Sequence, residues 1–426
     1  MNENNLVIGI DEKPQPVKWL MLSFQHVFAM FGATILVPIL TGRSIGVALF
    51  TSGIGTLIYI FLTKKKVPMY LGSSFSFIGA VTAANMAGEM SAGQSGLVFA
   101  GLTVIAVGFV VKLIGTDWID KLLPTVVIGS MIIIIGFGMS ANAVSQAGLV
   151  VGENGFEWKT ALVALVSFST VVIFTIWGKG FSKLIPFLLG IVTGYLTATA
   201  LGMIDFTPVV EAARAGWIKV PEFMFPVKVG NFDTYDFRVT GRALAIIPIA
   251  FVTISEHIGA HSVLSKITGK NFAKDPGYAR TLIGDGVAST ISCLIGGPDT
   301  TTYGENTGVI GMTKVGSVYV VMGAAVIAII LSFIAPFTAL IRTIPDPVLG
   351  GLSIVLFGVI GSNGLSILVD EKVNFSLQRN VIIASTMIVV GLGGAVIQFG
   401  GGFMLEGMAL AAILGIVLNL VLPKDV

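Results

Sequence analysis

Long apolar stretches alternate with short polar ones along almost the whole chain. About fourteen of these stretches approach the length of about 20 residues that an α-helix needs to cross a bilayer. The pattern predicts an all-α polytopic membrane protein without a large soluble domain between the spans. The predicted spans lie near residues 18–40, 43–63, 70–86, 95–114, 121–143, 159–177, 184–203, 242–265, 280–297, 300–313, 315–338, 346–363, 378–396 and 403–422.

The composition agrees with a membrane location. Of the 426 residues, 54% are hydrophobic and 11% are charged, whereas about 25% are charged in a typical soluble domain. Residues 1–19 are too polar for a cleaved secretory signal, so we expect residues 18–40 to be an uncleaved first span. No basic patch points to nucleic acid, and the single cysteine, Cys293, gives neither a disulfide framework nor a zinc-ligand cluster.

The basic residues predict the orientation of the chain. With a cytoplasmic N-terminus, most Lys and Arg residues, among them Lys64, Lys65 and Lys66, fall in loops on the cytoplasmic side. This distribution follows the positive-inside rule. The long loop at 204–241 then lies outside the cell, and both termini lie in the cytoplasm.

The two halves of the chain show internal repetition. One offset of 231 positions relates His26 to His257, Gly53 to Gly284, Gly55 to Gly286 and Thr82 to Thr313. Because about seven spans per half is an odd number, the second half must cross the membrane in the opposite sense. Inverted repeats of this kind are typical of secondary transporters.

Two polar stretches interrupt the predicted helices at membrane depth. Residues 296–303, GGPDTTTY, combine glycine, proline and β-branched threonine, which are poor helix formers. The matching stretch of the first half breaks at Gly72, Ser73 and Ser74. We expect an extended segment and then a half-helix at each place, since non-helical backbone is tolerated there only where protein buries it or where it lines a cavity. The free N–H groups and helix N-termini would offer donors to a ligand.

Glu256 and Glu305 are the two acidic residues whose positions are least compatible with a loop. A charged group at the centre of a spanning helix costs about 2.5–3.5 kcal/mol on insertion scales and by default marks a function. Two carboxyl groups in one dry cavity favour retention of a proton near neutral pH, which suits proton-coupled transport. The alternative is that either acid pairs with a nearby Lys or Gln and only joins helices.

At this point the chain resembles a known family. Residues 305–314, ENTGVIGMTK, fit the signature of the nucleobase–ascorbate transporters, also called nucleobase:cation symporter-2, and Gln25 with His26 fits a second motif of that family. The stretches HVFAMFGATILVP, LGSSFSFI, SEHIG and TTYGENTGV are similar to the bacterial branch that transports uracil. The resemblance covers essentially the entire chain, and Glu rather than Gln at position 305 favours uracil over xanthine or urate.

The resemblance implies seven spans inverted against seven, with short extended strands in spans 3 and 10. A core domain would comprise residues 1–115 and 242–340, which hold spans 1–4 and 8–11. A gate domain would comprise residues 116–203 and 341–426, which hold spans 5–7 and 12–14, and residues 204–241 would form the external connecting loop. The family also implies a homodimer through the gate domains, a location in the cell membrane, and no cofactor, because the proton gradient supplies the energy.

The resemblance also implies a uracil site in the core between the two breaks. Glu256 and Glu305 would bind the N–H and carbonyl edge of the pyrimidine, and the backbone of Phe75 and Gly304 would complete the contacts. The side chains expected around the base are Phe75, Tyr303 and Ala33, of which the two aromatic rings have helix packing as an alternative role. The supporting motif residues are Gln25, His26, Ser73, Ser74, Asn306 and Thr313.

One position departs from the family pattern. Uracil-transporting members are expected to carry a second histidine four residues after the glutamate, where this chain has Ala260 followed by His261. Residues four apart share a helix face, whereas the fifth is turned by about 100° more, so His261 does not simply replace that histidine. We expect proton coupling to rest on Glu256, with His257 orienting it or its neighbours. A structural hydrogen bond is the alternative role for His257 and His26.

Uracil import by proton symport, with alternating access of core against gate, is the function that these observations predict. Another nucleobase, such as xanthine or urate, is the nearest alternative. An anion exchanger of the same inverted architecture would need a basic residue or donors suited to sulfate at the half-helices, but Lys314 lies at the far cytoplasmic end of its half-helix. A membrane-embedded enzyme would need a nucleophile with its base, or a metal cluster, and three histidines with one cysteine disfavour that class.

Overall fold

The computed structural model describes residues 6–151, 156–398 and 404–423, and most of them are helical. The α-helices are α1 (Pro16–Leu40), α2 (Ile45–Leu62), α3 (Ile78–Met86), α4 (Met90–Ile114), α5 (Asp117–Leu122), α6 (Thr125–Gly138), α7 (Ser140–Gln146), α8 (Trp158–Ile176), α9 (Pro186–Ala200), α10 (Thr207–Ala215), α11 (Gly241–Leu244), α12 (Ala250–Thr268), α13 (Tyr278–Leu294), α14 (Gly304–Thr313), α15 (Val318–Ser332), α16 (Ala335–Arg342), α17 (Asp346–Asp370), α18 (Gln378–Leu392) and α19 (Gly407–Val421). The strands are β1 (Leu71–Ser73), β2 (Met224–Phe225), β3 (Asp233–Thr234), β4 (Thr300–Thr302), β5 (Val396–Gln398) and β6 (Met404–Glu406). The two chain termini, for which the sequence predicts a cytoplasmic location, lie outside the described residues.

Seven helices among the described residues are long and apolar enough to cross a membrane. They are Pro16–Leu40, Ile45–Leu62, Met90–Ile114, Thr125–Gln146, Trp158–Ile176, Gly241–Thr268 and Asp346–Asp370. Four shorter apolar helices, α9, α15, α18 and α19, coincide with further predicted spans. The chain is therefore a polytopic helical membrane protein, and the count of fourteen spans stays a prediction.

A short strand lies at each of the two breaks that the sequence predicts. β1 pairs with β4 in antiparallel register, with Gly72 opposite Thr301, and all six residues of the two strands are buried. β1 leads into α3, and β4 leads into α14. The pairing satisfies backbone groups that would otherwise be unpaired at membrane depth, where each unpaired group is costly.

Some helix ends differ from the predicted spans for local reasons. The predicted span at 242–265 consists of α11, a 3₁₀ turn at Ile247–Ile249 and α12, because Pro248 lacks the N–H donor that a continuous helix needs. The spans predicted at 378–396 and 403–422 are too long by a few residues. α18 ends at Leu392, and β5 pairs with β6 before α19 begins.

Helices from the two halves of the chain pack on each other. α4 lies along α13, α2 along α15, and α6 along α17. Small residues allow such close approach in a membrane. A Cβ on Gly136 of α6, for example, would overlap the backbone of Gly361 of α17. The two halves are therefore interleaved, and each buries helices of the other.

Candidate functional site

The strand pair holds the segments before α3 and α14 side by side. The N–H of Tyr303 donates to the carbonyl of Tyr70 at 3.0 Å, and the N–H of Ser74 donates to the carbonyl of Asp299 at 2.8 Å. These bonds continue the ladder of β1 and β4 by one step at each end. The starts of the two half-helices consequently have a fixed relation to each other.

Tyr303 packs against the strand pair. Its side chain is buried, and its hydroxyl donates to the carbonyl of Ser73 at 3.0 Å and accepts from Thr34 at 3.3 Å. The Ser73 hydroxyl in turn donates to the carbonyl of Thr34 at 3.3 Å. A Cβ on Gly72 would overlap the Tyr303 ring, so the ring fills the space that this glycine leaves. Tyr303 thus packs on the strand pair, and its side chain lines none of the cavities described below. Its place beside a bound base stays a prediction.

Glu256 of α12 meets the break that follows β1. Its carboxylate accepts a hydrogen bond from the Ser76 hydroxyl at 3.1 Å. The N–H of Ser76 donates to the Ser74 hydroxyl at 3.3 Å, which closes a tight turn around Phe75. The second half of the chain thereby supplies an acid to the break of the first half. The sequence does not single out Ser76, although a hydroxyl directly after the break is the signal that could have done so.

Glu305 lies in the first turn of α14, next to Gly304, which is exposed and has open space around it. Glu305 and Ala33 line the same small cavity of about 20 Å³, together with Gly32 and Phe187. No side-chain partner for the Glu305 carboxylate is found in the part of the chain that the structure describes. Ala33 and Glu305, which the sequence analysis places at the same site, therefore border one cavity.

A larger cavity of about 270 Å³ begins at Phe75 and Ser76 and follows one face of α3. The opposite wall comes from α6, α18 and α19. A Cβ on Gly79 would meet no atom within 4 Å, which shows how open this face of α3 is. Glu305 does not line this cavity, and Glu256 reaches it only through Ser76. None of these cavities is lined by both acids, because Glu305 lines the cavity of about 20 Å³ and Glu256 bonds to Ser76 of the larger one. A single cavity shared by both acids therefore stays a prediction.

His257 forms no hydrogen bond with Glu256, its neighbour in α12, so an orienting role of His257 stays a prediction. Its Nδ1 lies 2.8 Å from Oδ2 of Asp285, and its Nε2 lies 2.9 Å from the hydroxyl of Thr281. His257 and Asp285 are both buried. Successive residues of a helix point about 100° apart, so Glu256 faces the break while His257 faces α13. Sequence reasoning missed Asp285, although an acid in the middle of a predicted span is a signal for function.

His261 extends this buried polar group by one turn of α12. Its Nδ1 donates to the carbonyl of His257 at 2.7 Å, so its Nε2 is free to accept from the Tyr59 hydroxyl at 2.5 Å. The rings of His257 and His261 stack with their centroids 4.0 Å apart. Ala260, at the position where the family pattern expects histidine, packs against apolar neighbours instead.

The two short family motifs meet between α1 and α14. The Asn306 amide donates to Nδ1 of His26 and to the carbonyl of His26, both at 3.0 Å. Gln25 keeps a buried side-chain oxygen without a partner among the described residues. At the other end of α14, the Thr313 hydroxyl accepts from the N–H of Val315 at 3.3 Å and ends the half-helix. His26 therefore has the structural hydrogen bond that the sequence left open.

The residues that the structure describes contain no group of three His, Cys, Asp or Glu side chains that could hold a metal ion. The polar groups at the breaks are hydroxyls, backbone N–H groups, the half-buried carboxyls of Glu256 and Glu305, and the buried carboxyl of Asp299. Such a set can hydrogen-bond a small polar molecule and can hold or release protons.

Comparison with known proteins gives a consistent result. The model of a family described as "Permease family" matches residues 17–399. The uracil permease of Bacillus subtilis (strain 168) is 47% identical over 429 residues, which cover 100% of this chain and 97% of that protein. The uracil permease of Escherichia coli (strain K12) is 38% identical, with 97% of this chain and 93% of that protein covered.

Solved structures show the same fold at low identity. The transmembrane domain of the cyanobacterial bicarbonate transporter BicA aligns with a TM-score of 0.62 at 14% identity, over 97% of this chain and 99% of that one. The murine anion transporter Slc26a9 in its inward-facing state aligns with a TM-score of 0.68 at 13% identity, over 96% of this chain and 69% of that one. The match of the family model and the high identity to named permeases lead to one conclusion: the chain is an integral protein of a bacterial cell membrane and belongs to the permease family of transporters, not to a class of enzymes.

Proposed function

We propose that the chain imports uracil across the cell membrane by proton symport. The observation that carries this proposal is the β1–β4 pair, from which two half-helices of opposite halves begin beside Glu256 and Glu305. The names of the relatives support uracil as the substrate, since two proteins that are 47% identical to this chain are called uracil permeases. Xanthine or urate would be the alternative substrate within the same family.

Uracil is flat and uncharged, and its edge alternates N–H donors with carbonyl acceptors. Glu256 and Glu305 supply acceptors for the N–H groups, and exposed backbone at Gly304 supplies a donor for a carbonyl. Phe75 is half-buried at the end of the 270 Å³ cavity, where its ring can lie against the base. A hydrogen bond to a charged group contributes about 1.5–3 kcal/mol, so two acids suffice for selective binding.

Proton coupling is assigned to Glu256, and the His257–Asp285 pair is assigned as a second site that can bind a proton. The Thr281 hydroxyl has one hydrogen and two acceptors, the Tyr278 carbonyl at 3.1 Å and Nε2 of His257 at 2.9 Å. If it donates to Tyr278, Nε2 must carry a hydrogen, and the His257–Asp285 pair then holds one additional proton. If it donates to Nε2, His257 is neutral and Asp285 is a carboxylate. Rotation of one hydroxyl thus accommodates both states.

Alternating access would move a core of residues 1–115 and 242–340 against a gate of residues 116–203 and 341–426. The packing supports this division, since α2, α4, α13 and α15 pack among themselves, as do α6, α8, α17 and α18. The 270 Å³ cavity is lined by α3 of the proposed core and by α6, α18 and α19 of the proposed gate, so it lies along the proposed boundary. Fourteen spans, both termini in the cytoplasm and a homodimer through the gate complete the proposal.

An anion exchanger is the second candidate, because the likeness in fold includes an anion transporter and a bicarbonate transporter. Glu305 argues against it, since a carboxylate in the first turn of α14 would repel an anion at that helix N-terminus. Uptake of labelled uracil into vesicles, with xanthine, thymine and sulfate as competitors, separates the candidates. We expect excess uracil and a proton gradient to control uptake, whereas inhibition by sulfate alone would contradict the proposal.

The assignment of the proton needs its own test. Glu256→Gln keeps the shape of the side chain and the bond to Ser76 but removes the acid. We expect the variant to lose uracil accumulation driven by a pH gradient. Glu211→Gln, at an exposed position of α10, is the matched control and should leave uptake unchanged. A Glu256→Gln variant that still concentrates uracil in a proton-dependent way would show that another group carries the proton.

A further inference from the structure

The turn between α1 and α2 contains a buried arginine. Arg43 has only 5% of its surface exposed, and none of its three guanidinium nitrogens has a hydrogen-bond partner among the described residues. Its backbone N–H donates to the carbonyl of Pro38 at 2.7 Å, which fixes the position of the turn. A buried charge without a partner is strongly unfavourable, so we expect an opposite charge or an ordered water beside it.

Asp299, like Arg43, is a buried ionisable residue without an ion-pair partner among the described residues. It has 5% of its surface exposed, its carboxylate accepts a hydrogen bond from Ser289, and it forms no salt bridge with a Lys or Arg of the described ranges. Asp299 directly precedes β4. Its carbonyl accepts the N–H of Ser74 at 2.8 Å, and Ser74 is the neighbour of Phe75. The position of Asp299 therefore affects both strands of the site.

Arg43, Asp299 and Ser74 line one small cavity of about 10 Å³. That is about the room that a single water molecule requires. A water there can accept from the guanidinium and donate to the carboxylate, so that both charges gain a partner. An anion bound to Arg43 in the same cavity would lie beside the carboxylate and would be repelled by it.

Other acids near Arg43 are less suited to pair with it. Arg43 also borders an open cavity of about 400 Å³ together with Glu222 and Asp233. Glu222 already accepts a hydrogen bond from Arg342, which holds the pKa of that carboxyl below its usual range. Asp233 is exposed, so solvent would screen its attraction to Arg43.

We propose that Arg43 and Asp299 form a water-bridged ion pair that positions β4 and, through Ser74, the substrate-contacting segment at Phe75. This role rests on the proposed uracil function. The pair joins the turn after α1 to the chain before β4, so it fixes two segments that come from opposite halves. Both are positioning residues, because neither lines the cavities at Phe75 or Glu305.

A double-mutant cycle tests the pair. Arg43→Gln and Asp299→Asn each leave one buried charge alone, whereas the double variant removes both charges. We expect each single variant to raise the KM for uracil about 10-fold, which corresponds to about 1.4 kcal/mol, with unchanged maximal uptake per folded transporter. The double variant should return to within about 3-fold of the native KM. Independent, additive effects of the two substitutions would overturn the proposal.

Two control cycles apply the same Arg→Gln and Asp→Asn substitutions to other pairs of residues. Arg43→Gln combined with Asp233→Asn tests the exposed acid of the larger cavity and should show no coupling. Arg238→Gln combined with Asp236→Asn tests an exposed pair at 2.6 Å and should leave the KM unchanged. Coupling of Arg43 to Asp233 in place of Asp299 would show that the pairing has been assigned to the wrong acid.

Thermal unfolding of the purified full chain, in chloride and in gluconate, provides a readout that does not depend on uracil. We expect the double variant to melt above both single variants, with the same midpoint in the two salts. Stabilisation by chloride that disappears in Arg43→Gln would mean an anion site and would overturn the pair. Coupling in melting without coupling in KM would overturn the positioning role. If the native protein takes up no uracil, the proposed function fails, and the melting cycle still decides whether the pair forms.

Discussion

At the scale of single residues, the bond from Ser76 to Glu256 is the contact through which the larger cavity reaches an acid. The hydroxyl holds the carboxylate toward the segment at Phe75, and its loss would leave the acid free to turn. Because a hydrogen bond to a charged group contributes about 1.5–3 kcal/mol, its removal should be measurable in substrate binding.

We therefore expect Ser76→Ala to raise the KM for uracil about 10-fold, with transporter abundance unchanged. Uptake into vesicles over a range of uracil concentrations measures this. Ser140→Ala removes an exposed hydroxyl that donates to the carbonyl of Phe137 near the end of α6, and it serves as the control, with no expected change. An unaltered KM in Ser76→Ala would mean that Glu256 needs no orienting donor.

If the His257–Asp285 pair holds a proton, its loss should impair proton coupling and leave uracil binding intact. In Asp285→Asn, the amide can still donate to Nδ1 of His257, but it cannot release a proton. We expect accumulation driven by a pH gradient to fall about 10-fold or more, while exchange of uracil without a gradient persists. Parallel assays of both processes in the same vesicles provide the measurement, and Thr103→Val, a part-buried hydroxyl bonded to its own helix, is the control. Full retention of gradient-driven uptake would contradict a role for Asp285 in coupling.

Residue types were easier to predict from the sequence than their partners. Glu256 and Glu305 stand out because acids are costly inside the membrane. The partner of His257 could not be derived, since neighbouring helical residues face different helices and the packing of α12 on α13 is a tertiary fact. Arg43 and Asp299 lie 256 positions apart and occur near turns, where charge is ordinary, so only the fold shows that they line one cavity.

At the scale of elements, Gly72 gives the strand pair its tightest contact. A Cβ at this position would overlap the Tyr303 ring. We expect Gly72→Ala to destabilise the protein by about 1–3 kcal/mol, as overpacking of a buried site does. Thermal unfolding of the purified chain measures this loss. Gly358→Ala in α17, where an added Cβ meets no atom within 4 Å, should have no destabilising effect.

The positions of the breaks could be predicted because glycine, proline and threonine runs are incompatible with a helix interior. The pairing of β1 with β4 and its register could not, since three-residue strands carry no alternating pattern to fix which residues face each other. Ends of helices were missed where a tertiary contact replaces a helical bond, as in the β5–β6 pair after α18.

At the scale of the whole molecule, the 270 Å³ cavity gives an accessible surface on α3. The chain has one cysteine, Cys293, which is buried. Labelling of an introduced cysteine can therefore be measured without a contribution from the native one. We expect Ala80→Cys to react with a membrane-impermeant thiol reagent added outside, and uracil to slow the reaction. Ala328→Cys, fully buried in α15, should not react. Labelling of Ala80→Cys only from the cytoplasmic side would contradict the proposed orientation.

The pairing of β1 with β4 also has a consequence for biosynthesis. Leu71–Ser73 emerges from the ribosome long before its partner Thr300–Thr302 exists. At a synthesis rate of about 5–20 residues per second, the first strand waits roughly 10–50 s with unpaired amide groups inside the translocation machinery or the lipid. A nascent chain stalled between the two segments would therefore be a preferred target for membrane proteases, and one stalled beyond the second segment would be protected.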